Sequence, residues 1–429
     1  MDAVAGGGPM KVLIMTLGTR GDVQPFVALA QGLRGAGHEP LLVAPHRFAG
    51  FAESHGVPFA GVDDGPMRLL DGDRAGELLE GGIRSRLALM PKMAAMFTRV
   101  LEDSWAVARD AGADLVVHNG QIVAGQHVAE ALRIPAVLAL PIPMYVPTRE
   151  FAWPGAELPG RLPGLLNRAT FLGMGSTTAM FGHVVDRWRR DALHLPRRRG
   201  RHDPTRAHDG GRACVLHAIS PTVLPRPADW PAEAELTGYW SLAGRPSPLP
   251  GDLEEFLAAD EAPVFVGFGS MAGADPAATT ATVLEAARRT GRRLVIGAGW
   301  GGLDTTDLPD YVHAVSDVDY RTLFPHVAAV VHHGGAGTTG TAFTSGRPQV
   351  VCPFVADQPF WGRRVESLGV GPAPVPQKRL TAGALAAAIE VATDQDARIN
   401  AERIARAMRE ENGVATAVRS LEDVAARAR

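Results

Sequence analysis

The sequence predicts an α/β protein built from two Rossmann-like units in tandem, and three observations carry that expectation. Short Val/Leu/Ile runs alternate with longer amphipathic segments, the pattern of parallel strands covered by helices on both faces. The alternation occurs twice, over residues 11–140 and again over 263–393. Between the two series, residues 220–253 carry seven prolines and little periodicity, which reads as an interdomain linker.

In chain order, KVLIMTL (11–17) reads as a buried first strand. The polar turn GTRGD follows, then a helix over 25–37 opening on Pro25, where a missing N–H costs least. EPLLVA (39–44), a helix at 47–56, ADLVVHN (113–119) and PAVLAL (135–140) complete the first unit. The second comprises PVFVGFGS (263–270), a helix at 279–291, RLVIGAG (293–299), AAVVHHGG (328–335), QVVCPF (349–354) and an Ala-rich helix at 381–393. One or two amphipathic helices end the chain. The expected division is an N-terminal domain over 1–225, a linker over 226–252 and a C-terminal domain over 253–429.

Composition excludes several function classes. With 43 Lys+Arg against 46 Asp+Glu in 429 residues, no bulk field favours nucleic acid or an anionic membrane. The two cysteines, Cys214 and Cys352, sit among apolar neighbours and read as reduced, buried thiols. No run of about 18 apolar residues appears, and MDAVAGGGP carries an acid where a secretory leader has basic residues, so a cytoplasmic protein without a stable membrane anchor is expected. The segment 141–210 is irregular and rich in Pro, Gly and Arg, with HLPRRRGRHD at 194–203. It reads either as a solvated run with loops or as an excursion lining a substrate site.

Residues 330–343, VVHHGGAGTTGTAF, contain G-x-G-x-x-G at Gly335, Gly337 and Gly340. The dinucleotide fingerprint wants a strand before, a helix after and an acid about 20 residues on, and Asp357 completes the set. An NAD(P)-dependent oxidoreductase is therefore one reading. Yet GAGWGG (297–302) fits the same pattern, and a plain dinucleotide turn has no need of the imidazoles of His332 and His333. Physically the motif describes an anion site: the amides of Ala336, Gly337 and Thr338 at a helix start, with His332 able to donate to a phosphate oxygen. His333 reads as structural.

HHGGAGTT, followed by PFVADQPFWGRRV (353–365) and preceded by GFGSM (267–271), resembles the inverting nucleotide-sugar glycosyltransferases of GT-B fold. The nearest branches are the sterol glucosyltransferase-like proteins and the actinomycete antibiotic glycosyltransferases, and MTLGTRGDVQPFVALAQGLRGAGHE (15–39) is similar to their opening. The resemblance covers roughly residues 11–60 and 215–420. It implies two Rossmann-like domains facing across a cleft, the first for the acceptor and the second for the donor. It also implies a tail, 405–429, that crosses back to the first domain.

The same resemblance implies a hexose moved from a UDP- or dTDP-sugar to a hydroxyl of an apolar acceptor such as a sterol, polyketide, macrolide or glycopeptide aglycone, with no metal and no further cofactor. It matches His332, Gly335, Ala336, Gly337 and Thr338 to the diphosphate site, Ser270 to a hydroxyl near the phosphates, Asp357 and Gln358 to the sugar, and Val318 to the base. A catalytically silent GT-B helper is the other reading it leaves open.

Inverting transfer needs a base for the acceptor hydroxyl, and Asp22, in the loop after the first strand, is the candidate. Its other reading is a helix cap. His118, at the end of ADLVVH, either assists or bonds locally; Arg20 is a further cation near the turn.

Overall fold

The computed structural model describes residues 8–68, 83–156, 158, 162–174, 182–196, 202–269, 275–298 and 303–428. The first sheet comprises β1 (Lys11–Met15), β2 (Glu39–Pro45), β3 (Phe59–Val62), β4 (Leu115–His118), β5 (Ala136–Leu140), β6 (Cys214–His217) and β7 (Ala234–Leu236), in spatial order 3-2-1-4-5-6-7. The second comprises β8 (Val264–Gly267), β9 (Leu294–Gly297), β10 (Val312–Val315), β11 (Ala329–His332) and β12 (Gln349–Val351), in order 10-9-8-11-12. Every pairing is parallel. The strands are short and apolar because both faces of each sheet are covered.

The helices of the first unit are α1 (Arg20–Gly35), α2 (Ala49–Ser54), α3 (Gly65–Arg68), α4 (Ile83–Ala111), α5 (Ala124–Leu132), α6 (Gly164–Thr170) and α7 (Gly182–Asp191). Those of the second are α8 (Gly251–Ala258), α9 (Pro276–Thr290), α10 (Tyr320–Leu323), α11 (Ala336–Thr344), α12 (Gln358–Ser367), α13 (Ala382–Ala392) and α14 (Gln395–Arg409). The last helix is α15 (Gly413–Ala428).

Alternation along β1 divides the first core into two layers. Val12 and Ile14 pack with α1 and with Ala417, Val418 and Leu421 of α15, whereas Leu13 and Met15 pack with α4, α5 and α7. The last helix therefore crosses back onto the first domain. Gly32 makes room for it, since a Cβ there would lie 2.1 Å from Val414 Cγ1. His38–Glu422 at 3.0 Å and Ser420–Glu235 at 2.7 Å hold its far side. The crossing begins at α15; α14 stays on the second domain against α11.

Three expectations are corrected by the fold. First, α1 opens at Arg20 and not at Pro25, because Thr19 and Asp22 form a capping box that satisfies the first amides. Pro25 then sits inside the helix at the cost of one backbone hydrogen bond. Second, the stretch 226–252 is not all linker: β7 extends the first sheet from within it. Its three residues lie among prolines, so composition hid them. Third, Cys214 is only partly buried, although both cysteines are free.

One side of the interdomain junction is a shared apolar cluster. Ile219, Val223 and Leu224 pack with Phe343, Trp361, Val365 and Ile404, and the Arg364 Nε–H donates to the Val223 carbonyl. Asp22, beyond the C-terminal end of β1, and Asp357, beyond that of β12, are close enough for the charge of one to act on the other.

Candidate functional site

Open α/β sheets place ligands where the strand order reverses. In the first sheet that point lies between β1 and β4, and in the second between β8 and β11. The site candidates fall at these two edges.

At the first edge, Asp22 is the third residue of α1 and half-buried. Its Oδ2 accepts from the Thr19 amide at 2.8 Å and the Thr19 hydroxyl at 3.1 Å. Oδ1 accepts from Gln121 Nε2 at 2.9 Å. Burial raises its pKa above the ordinary carboxylate range, against the lowering effect of Thr19 and Gln121. Gly18, at φ +143°, makes room for it: a Cβ there would come 2.3 Å from Asp22 Oδ2. Asp22 thus has both features weighed from sequence, a cap role and a raised pKa.

Asn119 organises the same edge and went unnoticed in the sequence. Its Nδ2 donates to Thr16 Oγ1 and to the Leu17 carbonyl, both at 2.9 Å, and its Oδ1 accepts from the Ile122 amide at 3.0 Å. Gln121 was missed as well. Neither residue has a short-range signal, because both act across about a hundred positions of chain on the β1 loop. His118 points into the domain. It is 2% exposed, rests against Gly125 of α5, and hydrogen-bonds through Nδ1 to the Asn119 carbonyl at 3.2 Å. Burial lowers its pKa to about 4, so it is neutral.

At the second edge, His332 is fully buried. Its Nε2–H donates to Gln349 Oε1 at 3.0 Å, and Nδ1 accepts from the Gly334 amide at 3.0 Å. Both nitrogens are therefore committed within the protein, and the expected phosphate contact from His332 has no atom left to make it. Burial, helped by the neighbouring His333, lowers its pKa to about 3.

His333, read as structural from sequence, is placed differently. Its ring lies between the turns after β8 and β11: a Cβ at Gly269 would come 3.2 Å from its Cε1, and one at Gly335 2.5 Å from its Nε2. Its buried Nδ1 has no hydrogen-bond partner. Burial lowers its pKa to about 4. It is a neutral imidazole with a nitrogen to spare at the strand-order reversal.

Beside it, α11 starts at Ala336 with Gly335 as N-cap and no side-chain cap. Helix geometry leaves the amides of Ala336, Gly337 and Thr338 without intrahelical acceptors. Gly337 is exposed, and a Cβ there would meet nothing within 4 Å. Its lack of a side chain serves no packing purpose in the protein itself, which fits close approach by a ligand. Ser270 lies outside the described residues.

Asp357 and Gln358 begin α12. Ala356 adopts a left-handed backbone, φ 59°, that turns Asp357 into the helix. Gln358 Oε1 accepts from the amides of Phe354 at 2.7 Å and Val355 at 3.2 Å, which leaves its NH2 as the group to offer a ligand. Asp357 Oδ2 accepts from Trp361 Nε1 at 2.8 Å. Burial raises its pKa to about 6, with a further push from the charge of Asp22. Burial raises the pKa of Tyr320, and the charge of Arg20 acts against that rise. These couplings set the start of α1 opposite the donor-side loops. Val318 is half-buried next to Tyr320, which stacks on Phe324 at 4.7 Å.

The sequence matches two family models in the order of the two sheets. Residues 12–146 match the glycosyltransferase family 28 N-terminal domain, and residues 282–424 the erythromycin biosynthesis protein CIII-like C-terminal domain. These two stretches are similar to the two domains of glycosyltransferases, and the fold is that of the GT-B glycosyltransferases. The dinucleotide reading of the glycine motif is thereby set aside. Among relatives of this chain, the sterol 3-beta-glucosyltransferase of Emericella nidulans is 33% identical over 96% of the chain and 30% of that protein. Sterol 3-beta-glucosyltransferase UGT80A2 of Arabidopsis thaliana is 33% identical over 96% of the chain and 65% of its own length. The chain thus spans between about a third and two-thirds of these relatives. The structure of glycosyltransferase VinC in complex with DTDP superposes with a TM-score of 0.64 at 21% identity, over 97% of this chain and all of that one.

Proposed function

We propose that the protein is an inverting glycosyltransferase that moves a hexose from a UDP- or dTDP-sugar to a hydroxyl of an apolar small molecule. The observation that carries this is the opposition of two unlike edges. A carboxylate with a raised pKa on the first faces, on the second, an uncapped helix start, an imidazole with an unpartnered nitrogen and a carboxylate–amide pair.

The roles follow from the chemistry. The donor diphosphate lies on the amides of Ala336, Gly337 and Thr338, where the helix dipole favours negative charge. His333, in place of His332, donates a hydrogen bond to it. Asp357 and the Gln358 amide bind the sugar hydroxyls, and Val318 lies at the base. Ionised Asp22 removes the acceptor proton as that oxygen attacks the anomeric carbon. The bond to the diphosphate breaks on the opposite side, and the charge it releases falls on donors already in place. Among the described residues no group of three or more His, Cys, Asp or Glu side chains is set to hold a metal ion. Leaving-group stabilisation is assigned to the amides and His333. His118 and His332 are assigned to fixing the two strand ends.

The apolar acceptor class is supported by the sterol-active relatives, and a dTDP-linked donor by the DTDP complex. A panel of UDP-, dTDP- and GDP-sugars against pooled aglycones, read by mass shift, tests the proposal. A hexose increment on an apolar acceptor that disappears with Asp22→Asn is expected. Transfer to no acceptor from any donor, with the donors nonetheless bound, would return the silent-helper reading.

A further inference from the structure

The turn after β5 carries a tyrosine that the proposed roles leave unused. One side of the Tyr145 ring packs on the cluster of Leu138, Leu140, Val146 and Trp230 around the end of that strand. Its other side lies on Gly120, in the turn after β4: a Cβ there would come 2.2 Å from Tyr145 Cζ and 2.3 Å from the hydroxyl oxygen. Gly120 has no positive φ, so the absence of its side chain serves the ring and not the backbone. The hydroxyl end of Tyr145 is thus seated between two residues that organise the first edge. Asn119 ties down the β1 loop, and Gln121 Nε2 donates to Asp22 Oδ1 at 2.9 Å.

The hydroxyl itself makes no hydrogen bond among the described residues. Phenylalanine would fill the same space. Burial raises the Tyr145 pKa to about 12, so its O–H stays protonated near neutral pH and is available as a donor. The residue is half-buried, with part of its surface left open.

The same turn reaches the second edge. Ile142, three residues earlier, packs on the interdomain cluster that holds Phe360 and Trp361 of α12. Trp361 Nε1 in turn donates to Asp357 Oδ2. Tyr145 therefore stands in the segment that runs from the Asp22 edge to the helix opening on Asp357 and Gln358.

We propose that Tyr145 binds the reacting hydroxyl of the acceptor, donating a hydrogen bond to its oxygen and leaving that oxygen's own hydrogen to point at Asp22. The assignment rests on the proposed function and adds a second contact to it. Ionised Asp22 is an acceptor only and holds the hydroxyl by its hydrogen, which leaves the oxygen free to swing. With Tyr145 on one lone pair, the other lone pair is aimed at the anomeric carbon. The acceptor proton still goes to Asp22, and none leaves Tyr145. The pair also decides which hydroxyl of an otherwise apolar molecule is glycosylated.

Tyr145→Phe keeps the ring on Gly120 and removes only the hydroxyl, so it tests the assignment. The acceptor is the aglycone that the parent glycosylates in the panel, with cholesterol in cyclodextrin as the first probe because of the sterol-active relatives. Its analogue with hydrogen in place of the reacting hydroxyl serves as inhibitor. The variant should raise acceptor KM about tenfold, with Kd for UDP or dTDP and the thermal midpoint kept. It should bind the deoxy analogue as tightly as the parent does. A purely structural role for Tyr145 would weaken both ligands alike, and that result overturns the assignment. Transfer by the parent together with an unchanged acceptor KM in the variant overturns it alone and leaves the proposed function standing. A parent that transfers hexose to no acceptor overturns both.

Discussion

The two strand-order reversals of this protein are built alike and finished differently. In each, the strand beyond the reversal ends in a buried, neutral histidine, His118 on β4 and His332 on β11. Each of these histidines bonds within the turn that follows it. At the first edge the reactive candidate, Asp22, already has its partners in Thr19 and Gln121. At the second, the helix start is uncapped and His333 has a nitrogen unpartnered. On the proposed function, the first edge offers a group to take a proton and the second leaves donors open for an anion. A strand-end histidine then holds the turn in both places, with the assigned chemistry one residue or one loop away.

The strongest way to break this comparison is to remove the carboxylate. Asp22→Asn keeps an acceptor for the capping box and should lower kcat by about 10³, with donor Kd within about twofold of the parent. A parallel rise in Kd would move Asp22 from base to donor binder. Next come the paired histidines. His333→Ala should lower kcat by about 10² and weaken UDP or dTDP binding in calorimetry. His332→Ala should instead destabilise the fold by about 2–3 kcal/mol, leaving two buried partners unsatisfied, while the folded fraction keeps most of its donor affinity. The reverse pattern would restore the role first read for His332.

How much of this was legible in sequence can be judged from those residues. Eight of the twelve strands among the described residues were readable because both sheets are parallel and buried, so β1, β4, β8 and β11 appear as continuous apolar runs. β3, β6, β7 and β10 were not, since runs of three or four residues leave too little period. The motif HHGGAGTT pointed to an uncapped helix start but not to which histidine keeps a free nitrogen beside it: adjacent strand-end residues point to opposite faces, and only packing decides which one is used up. Gln121 and Asn119 were illegible because their partners lie about a hundred residues away.

A smaller effect sharpens the donor side. Gly337→Ala fills open space and improves helix propensity, so the free protein should gain about 0.5–1 kcal/mol while donor KM rises roughly tenfold. Stability and affinity moving in opposite directions is the signature of a glycine kept for a ligand. The smallest test is on the acceptor side. Gln121→Leu removes a donor that lowers the pKa of Asp22. The acid limb of kcat/KM should therefore move to higher pH, since ionised Asp22 is the active form.

Asp357 supplies a control with a defined sign. Its pKa in the folded protein, about 6, lies above the ordinary value, so the folded state binds its proton more tightly than the unfolded state does. Its contribution to stability therefore grows as pH falls through about 6 and is lost as pH rises. The melting temperature of the parent relative to Asp357→Asn should accordingly rise between pH 7 and pH 5.

The central claim is that one base on the first edge attacks through its acceptor while the diphosphate leaves from the second. That geometry has a stereochemical consequence. Proton NMR of the purified glycoside, made from a donor of α-linked sugar, reads the configuration at the anomeric carbon directly. The account predicts a β-linked product, with inversion in a single displacement. An α-linked product would require the sugar to be attacked from the face its diphosphate leaves, or twice, and would contradict the assignment of Asp22 and the donor edge to opposite sides of one reaction.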